Sequence, residues 1–204
     1  MGSTNPWVRS LEDSPQDLDA DGGVLTLPRP AAALTPQPVV VQPVGSEPFA
    51  RRMIDRCDVA DLWWVGAHGG AGESTLEQLL DGSAAAGHAW PVMPDVDAPT
   101  PRAVLVARTH ASGLRSAQQA ATEWAAGLVD IDLVGLVLIA DAPGRLPLVL
   151  RDFAHVVCGG VPRSWRLPWV QAWRAGEPLS ADTVPRDVGR VLDDVRAAIA
   201  SQTT

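Results

Sequence analysis

Residues 68–74, HGGAGES, gather three glycines, a carboxylate and a hydroxyl in one short stretch that follows an apolar run. Glycines before a helix free backbone N–H groups to point inward, and the helix start adds partial positive charge. The chemistry on offer is capture of a phosphate or a similar anion. In a working cradle a lysine follows the last glycine and neutralises the phosphate, and the next Ser or Thr holds Mg²⁺. Here Gly72 is followed by Glu73, Ser74 and Thr75. A carboxylate about 4 Å from a phosphate charge repels it by roughly 4 kcal/mol at an effective dielectric of 20. The same residues also make a plain tight turn. Gly69, Gly70 and Gly72 permit the bend, and the helix dipole favours Glu73 at a helix start. The expectation is therefore a disabled cradle, with a working nucleotide site as the alternative.

Elements of alternating type must position this stretch. VADLWWVGA (59–67) reads as a buried strand, and a helix follows over 74–80. Residues 81–101 are rich in turn formers and read as irregular. AVLVART (103–109) is a second strand. Residues 112–128 form a helix with Leu114, Ala117, Ala121, Trp124 and Leu128 on one face. LVGLVLIA (133–140) is a third strand, 144–153 a short helix and AHVVCGG (154–160) a fourth strand. A Trp- and Pro-rich segment (161–178) then crosses the core surface, and an amphipathic helix with Pro185 near its start ends the chain. Continuously apolar strands alternating with helices imply an α/β fold with a mainly parallel sheet and flanking helices. The domain is expected over 56–204, its core starting near Cys57. Residues 1–55, acidic and then proline-rich, are expected to be a disordered tail. Trp7 or VVVQPV (39–44) would be its anchor if it docks a partner.

HGGAGES resembles the deviant phosphate loop of the ParA/MinD-type P-loop ATPases, K-G-G-x-G-K-[ST]. It matches at Gly69, Gly70, Gly72 and Ser74 and departs at both lysines, where His68 and Glu73 stand. In that family the second lysine binds the nucleotide's phosphates, and the first reaches across a dimer to the partner's nucleotide. The likeness extends over roughly 59–200. VLVARTHASGLRSAQQAATEWAAG resembles a strand–helix unit of the family, LVGLVLIADAPGRLP its next strand, and VPRSWRLPWVQAWRAGEPL the segment before its last helix. The resemblance implies a P-loop NTPase-like sheet, shortened because 81–101 stands where the family has further strands, a catalytic aspartate and its Walker B segment. In another register Asp141 is the Walker B aspartate and Gly144 a switch glycine; otherwise Asp141 is a turn or capping residue.

That likeness implies a pseudo-ATPase that binds protein. The partner would be a true ATPase of the family, a second protomer in a homo- or heterodimer, or a secretion, conjugation or partition assembly. No cofactor is expected on this reading. The alternative is ATP with Mg²⁺ and an arginine supplied by a partner, marked by Arg102 or Arg108 folded back onto the loop. A third class, an acyl hydrolase using Ser74, Asp141 and His155, lacks the glycine of its nucleophile turn, since Leu76 stands there.

Composition narrows the field. The net charge is −8 and the calculated pI about 4.8, which argues against nonspecific grip on nucleic acid; Arg163, Arg166 and Arg174 leave room for a local basic patch. Every one of the 16 basic residues is arginine, so no lysine exists to bind phosphate. With abundant Ala and Val, that bias has the look of a GC-rich actinobacterial genome. Trp165, Trp169 and Trp173 recur every four residues beside Arg166, as an interaction stripe or as core. Cys158, in an apolar run, reads as a buried thiol. Scattered His68, His88, His110 and His155 read as structural or exposed rather than as metal ligands. No apolar run is long enough to cross a membrane, and the N-terminus lacks the pattern of a secretory signal, so a cytoplasmic protein is expected.

Overall fold

The computed structural model describes residues 48–55, 60–94, 97–179 and 184–201, all within one compact unit, Val41–Thr204. Trp7, the VVVQPV stretch and Cys57 lie outside them. Seven strands and five helices follow in chain order among the described residues: β1 (Ala50–Met53), β2 (Leu62–Gly66), α1 (Glu73–Leu79), β3 (Ser83–Gly87), β4 (Ala89–Val92), β5 (Arg102–Arg108), α2 (Ala111–Ala125), β6 (Asp132–Ile139), α3 (Leu148–Gly159), β7 (Ser164–Leu167), α4 (Gln171–Arg174) and α5 (Arg186–Ala200).

Five strands form one sheet in the order β3-β2-β5-β6-β7, and every pairing in it is parallel. The expected α/β class, a mainly parallel sheet with flanking helices, is the fold observed. Strands β2, β5 and β6 are buried on both faces, which is why they read as unbroken apolar runs. Alternate residues divide between two cores. Trp63, Val65, Leu105 and Leu136 face α2 and α3, while Leu62, Trp64, Val104 and Val137 face α1 and α5.

The chain leaves β2 for α1 and returns to β3 on one side; it leaves β5 for α2 and continues to β6 on the other. Helices from the two directions cover opposite faces, so the connections after β2 and β5 diverge at the carboxyl ends of the strands. Open parallel sheets bind ligands in the crevice at such a divergence.

Four sequence expectations require correction. Residues 81–101 are not irregular: β3 closes one edge of the sheet, and β4, separated from it by His88 alone, pairs in parallel with β1 as a separate two-stranded sheet. Residues 154–159 are helix rather than strand, and Gly160 caps it. The run belongs to α3, where Ala154 and Val157 are buried at a spacing of three and Val156 is 64% exposed, a helical periodicity. Leu128 lies beyond the end of α2 and is 62% exposed, so it is not on that helix's core face. Trp165, Trp169 and Trp173 do not form a helical stripe: Trp165 is in β7, Trp169 in the connection after it and Trp173 in α4. Trp165 and Trp173 pack, partly buried, against the α1/α5 core, and Trp169 donates its Nε1–H to Gln171 Oε1 at 3.0 Å. Arg166 is exposed. In addition, β1 lies ahead of Cys57, inside the stretch expected to be tail.

Candidate functional site at the carboxyl edge of the sheet

Each residue just past the carboxyl end of a parallel strand arrives at the same edge. His68 follows β2, His88 follows β3, Thr109 and His110 follow β5, and Ala140 and Asp141 follow β6. The glycine-rich stretch sits among them. Ala67 N–H bonds Val106 O at 2.8 Å, which pins the start of the loop to β5, and Ala71 N–H turns back to His68 O at 3.2 Å. Gly72 then takes φ 111°, a left-handed conformation that side chains rarely adopt, and there α1 begins.

Glu73 is the centre of the loop. Its side chain curls back, so that Gly72 N–H donates to Oε2 at 3.0 Å while Oε1 lies 3.5 Å from His88 Nδ1. The residue is only 7% exposed. Room for this carboxylate depends on Gly66, where a Cβ would lie 2.8 Å from both the Glu73 carboxylate and His88 Nδ1. A loop amide that would face a phosphate thus meets the chain's own carboxylate. These residues do not fit a nucleotide phosphate: the negative group is built in, and α1, seven residues long, brings no extended helix dipole. Ser74 is exposed and Thr75 partly buried, and Gly69 and Gly70 are exposed at the tip.

His68 turns inward. Arg108 N–H donates to its Nε2 at 3.0 Å, so that nitrogen carries a lone pair, and the Nδ1–H is left to donate to Gly69 O at 3.0 Å. Burial holds this imidazole below its ordinary 6.5, with the nearby His110 and His88 acting in the same direction against the Gly69 hydrogen bond and the Glu73 charge. Its ring lies 4.8 Å, centroid to centroid, from that of His110. His110 caps α2, its Nδ1 accepting from Gly113 N–H at 2.9 Å and lying 2.9 Å from Ser112 Oγ. Three of the four histidines, distant in sequence, therefore converge around the loop. They do not assemble a metal centre, since no three His, Cys, Asp or Glu among the described residues are placed to hold an ion.

Of the two arginines considered for the loop, Arg108 folds back onto it. Its Nε donates to Gly70 O at 3.4 Å and its Nη1 to Ala140 O at 3.2 Å. Arg102 points to the opposite end of β5 and pairs with Asp132 at 3.6 Å. Asp141 is an exposed turn residue whose N–H donates to Thr109 Oγ1 at 3.2 Å; Pro147, not Asp141, occupies the N-cap of α3. Among the described residues no hydrogen bond or ion pair joins Ser74, Asp141 and His155, and His155 lies exposed on α3. Cys158 is a free thiol, half-buried on the same helix.

Beside the loop, the carboxyl ends of β5, β6 and β7 enclose a cleft of about 320 Å³. Leu138, Leu146, Leu150 and Leu167 make its apolar wall, and Thr109, His110, Asp141, Arg145 and Arg166 supply its polar groups. Of these, the sequence singles out only Asp141, Arg166 and His110. Their convergence needs the strand order, which residue spacing does not encode. No helix among the described residues is long and apolar enough to cross a membrane.

No curated protein and no solved structure matches this chain. Residues 60–192, from just before β2 into α5, match the family described as "Family of unknown function (DUF6668)", and this covers well over half of the chain. The chain belongs to that family.

Proposed function

We propose that this protein is a cytoplasmic pseudo-ATPase of ParA/MinD-like ancestry that works by binding another protein rather than by hydrolysing a nucleotide. One observation carries the reading: the buried Glu73 carboxylate takes the Gly72 N–H and so stands where a phosphate oxygen would be held. A phosphate brought to this loop meets that carboxylate at close range and finds no lysine. The loop remains as a rigid corner joining β2 to α1. Protein binding draws support from α3, where Leu148, Val149 and Val156 are 60%, 77% and 64% exposed, a concentration of apolar surface on one helix. The partner proposed is a true ATPase of the same ancestry, a second protomer, or an assembly of the secretion, conjugation or partition kind.

A second reading, a nucleotide-binding protein with a non-standard loop, draws on Arg108, whose guanidinium lies against Gly70 O. Calorimetric titration of ATP and GTP, with and without Mg²⁺, separates the two. Wild type is expected to stay silent and Glu73→Lys to gain binding, with Glu73→Gln as the variant that removes the charge and keeps the size. Micromolar binding by wild type would overturn the pseudo-ATPase reading in favour of the second.

A further inference from the structure

We propose that the cleft at the carboxyl ends of β5, β6 and β7 is a binding site for a small organic carboxylate with a flat apolar body. The proposal goes beyond the pseudo-ATPase reading, because it uses none of the groups of the glycine loop. Three observations support it. The cleft's volume, about 320 Å³, falls at the lower end of the roughly 300–1,000 Å³ typical of small-molecule sites. It lies outside the carboxyl ends of β5, β6 and β7, next to the divergence between β2 and β5 at which open parallel sheets hold ligands. Its four leucines, with Pro143 and Pro147, form a wall that suits an apolar ring.

Charge selects the class of ligand. Arg145 and Arg166 line the cleft, and among the described residues neither is engaged in an ion pair. Arg108, outside the lining, donates to Ala140 O at the cleft's edge, and the charge of Asp141 acts on it more strongly than that of Arg174. Among the described residues, Asp141 is the one carboxylate lining the cleft. On a chain of net charge −8 this is a local excess of positive charge, and in a concave apolar setting it favours an anionic head over a cationic or neutral one. Thr109 Oγ1 accepts the Asp141 N–H, which leaves its hydroxyl proton free to donate to the same head.

The test uses the full chain, isotope-labelled for NMR, titrated with 2-naphthoate and with its neutral counterpart 2-naphthamide. Saturable shifts at the amides of 138–141 and at Gly144 are expected with 2-naphthoate, and weaker ones with the amide. Arg166→Gln should weaken 2-naphthoate about fivefold, the worth of one exposed ion pair, and leave 2-naphthamide unchanged. Arg166 is exposed, and the spectrum of the variant reports its fold directly. Equal affinity for the two probes, shifts centred elsewhere, or no saturable binding of either overturns the proposal. So does ATP displacing 2-naphthoate from these amides, which would assign the cleft to a nucleotide and at the same time unseat the pseudo-ATPase reading. Silence toward both naphthyl probes and ATP would reject the carboxylate site alone.

Discussion

Two strand-to-helix connections lie at the same edge of one sheet and treat their polar groups in opposite ways. The loop after β2 turns them inward: Gly72 N–H meets Glu73, Ala71 N–H meets His68 O, His68 Nδ1–H meets Gly69 O, and the Arg108 side chain covers Gly70 O. The connection after β6 leaves Asp141, Gly144 and Arg145 exposed, bordered by the apolar wall of the cleft. The glycine-rich loop looks the more like a binding site on paper, and it is the one already occupied by its own chain. Glycine content tells where a loop can bend; what matters for a ligand is which partners its donors already have.

That contrast can be broken most forcefully at Gly72. Gly72→Val forces a branched side chain into φ 111° and drives a Cβ to 2.7 Å from Ile139 Cδ1 in the core, so a loss of about 3 kcal/mol or more is expected, read as a fall in denaturant midpoint. Unchanged stability would mean that the loop does not hold this turn. Glu73→Ala is next. It strips the Gly72 N–H of its partner in a confined site and should lower stability by about 1–3 kcal/mol while leaving partner binding intact. Loss of partner binding by a folded Glu73→Ala protein would make Glu73 a contact residue rather than a filler.

A smaller effect follows from His68. Its proton affinity is lower in the folded chain than in the unfolded one, so the unfolded state takes up the proton first as pH falls. The stability it contributes is complete above its ordinary 6.5 and declines as pH drops below that value toward the depressed folded one. Protonation at Nε2 would also cost the bond from Arg108 N–H. Stability profiles of wild type and His68→Phe should run parallel from pH 8 to about 6.5, and the advantage of wild type should shrink below that if burial lowers the imidazole; curves parallel down to pH 5 would refute it. Least affected should be Arg166→Gln, whose melting is expected to stay within about 0.5 kcal/mol of wild type, since the cleft's cations are exposed.

The strand, loop and helix over 62–79 were legible because buried parallel strands are apolar throughout and the glycines end them abruptly. Strand β3, with the sequence SAAAG, escaped notice because alanine carries no strand preference. It is held as an edge by pairing with β2 and by Trp64 Nε1–H donating to Ser83 Oγ at 2.8 Å. The stretch 154–160 reads as strand because two adjacent valines look like one, although only positions 154 and 157 of it are buried in the core. Strand β1, Ala-Arg-Arg-Met, is exposed at all four residues and shows no alternation to detect. The histidine cluster was hidden for a different reason. His68, His88 and His110 meet only because β3, β2 and β5 are neighbours, and strand order is a tertiary fact. One sequence signal was still available: in a parallel sheet, the residue after each strand reaches the common edge.

The anchoring of β1 has a mechanical consequence. Phe49 N–H is held by the buried Glu123 near the end of α2, and Arg51 Nη2 grips Leu128 O just beyond it at 2.9 Å. The other end of the same helix carries His110, in ring contact with His68 of the glycine loop. Helix α2 is thus a strut roughly 20 Å long at 1.5 Å per residue, clamped to the incoming chain at one end and braced against the loop at the other. Through α2 the backbone at Phe49 and Arg51 is thus joined to the histidines of the glycine corner, by two hydrogen bonds at one end of the helix and one ring contact at the other.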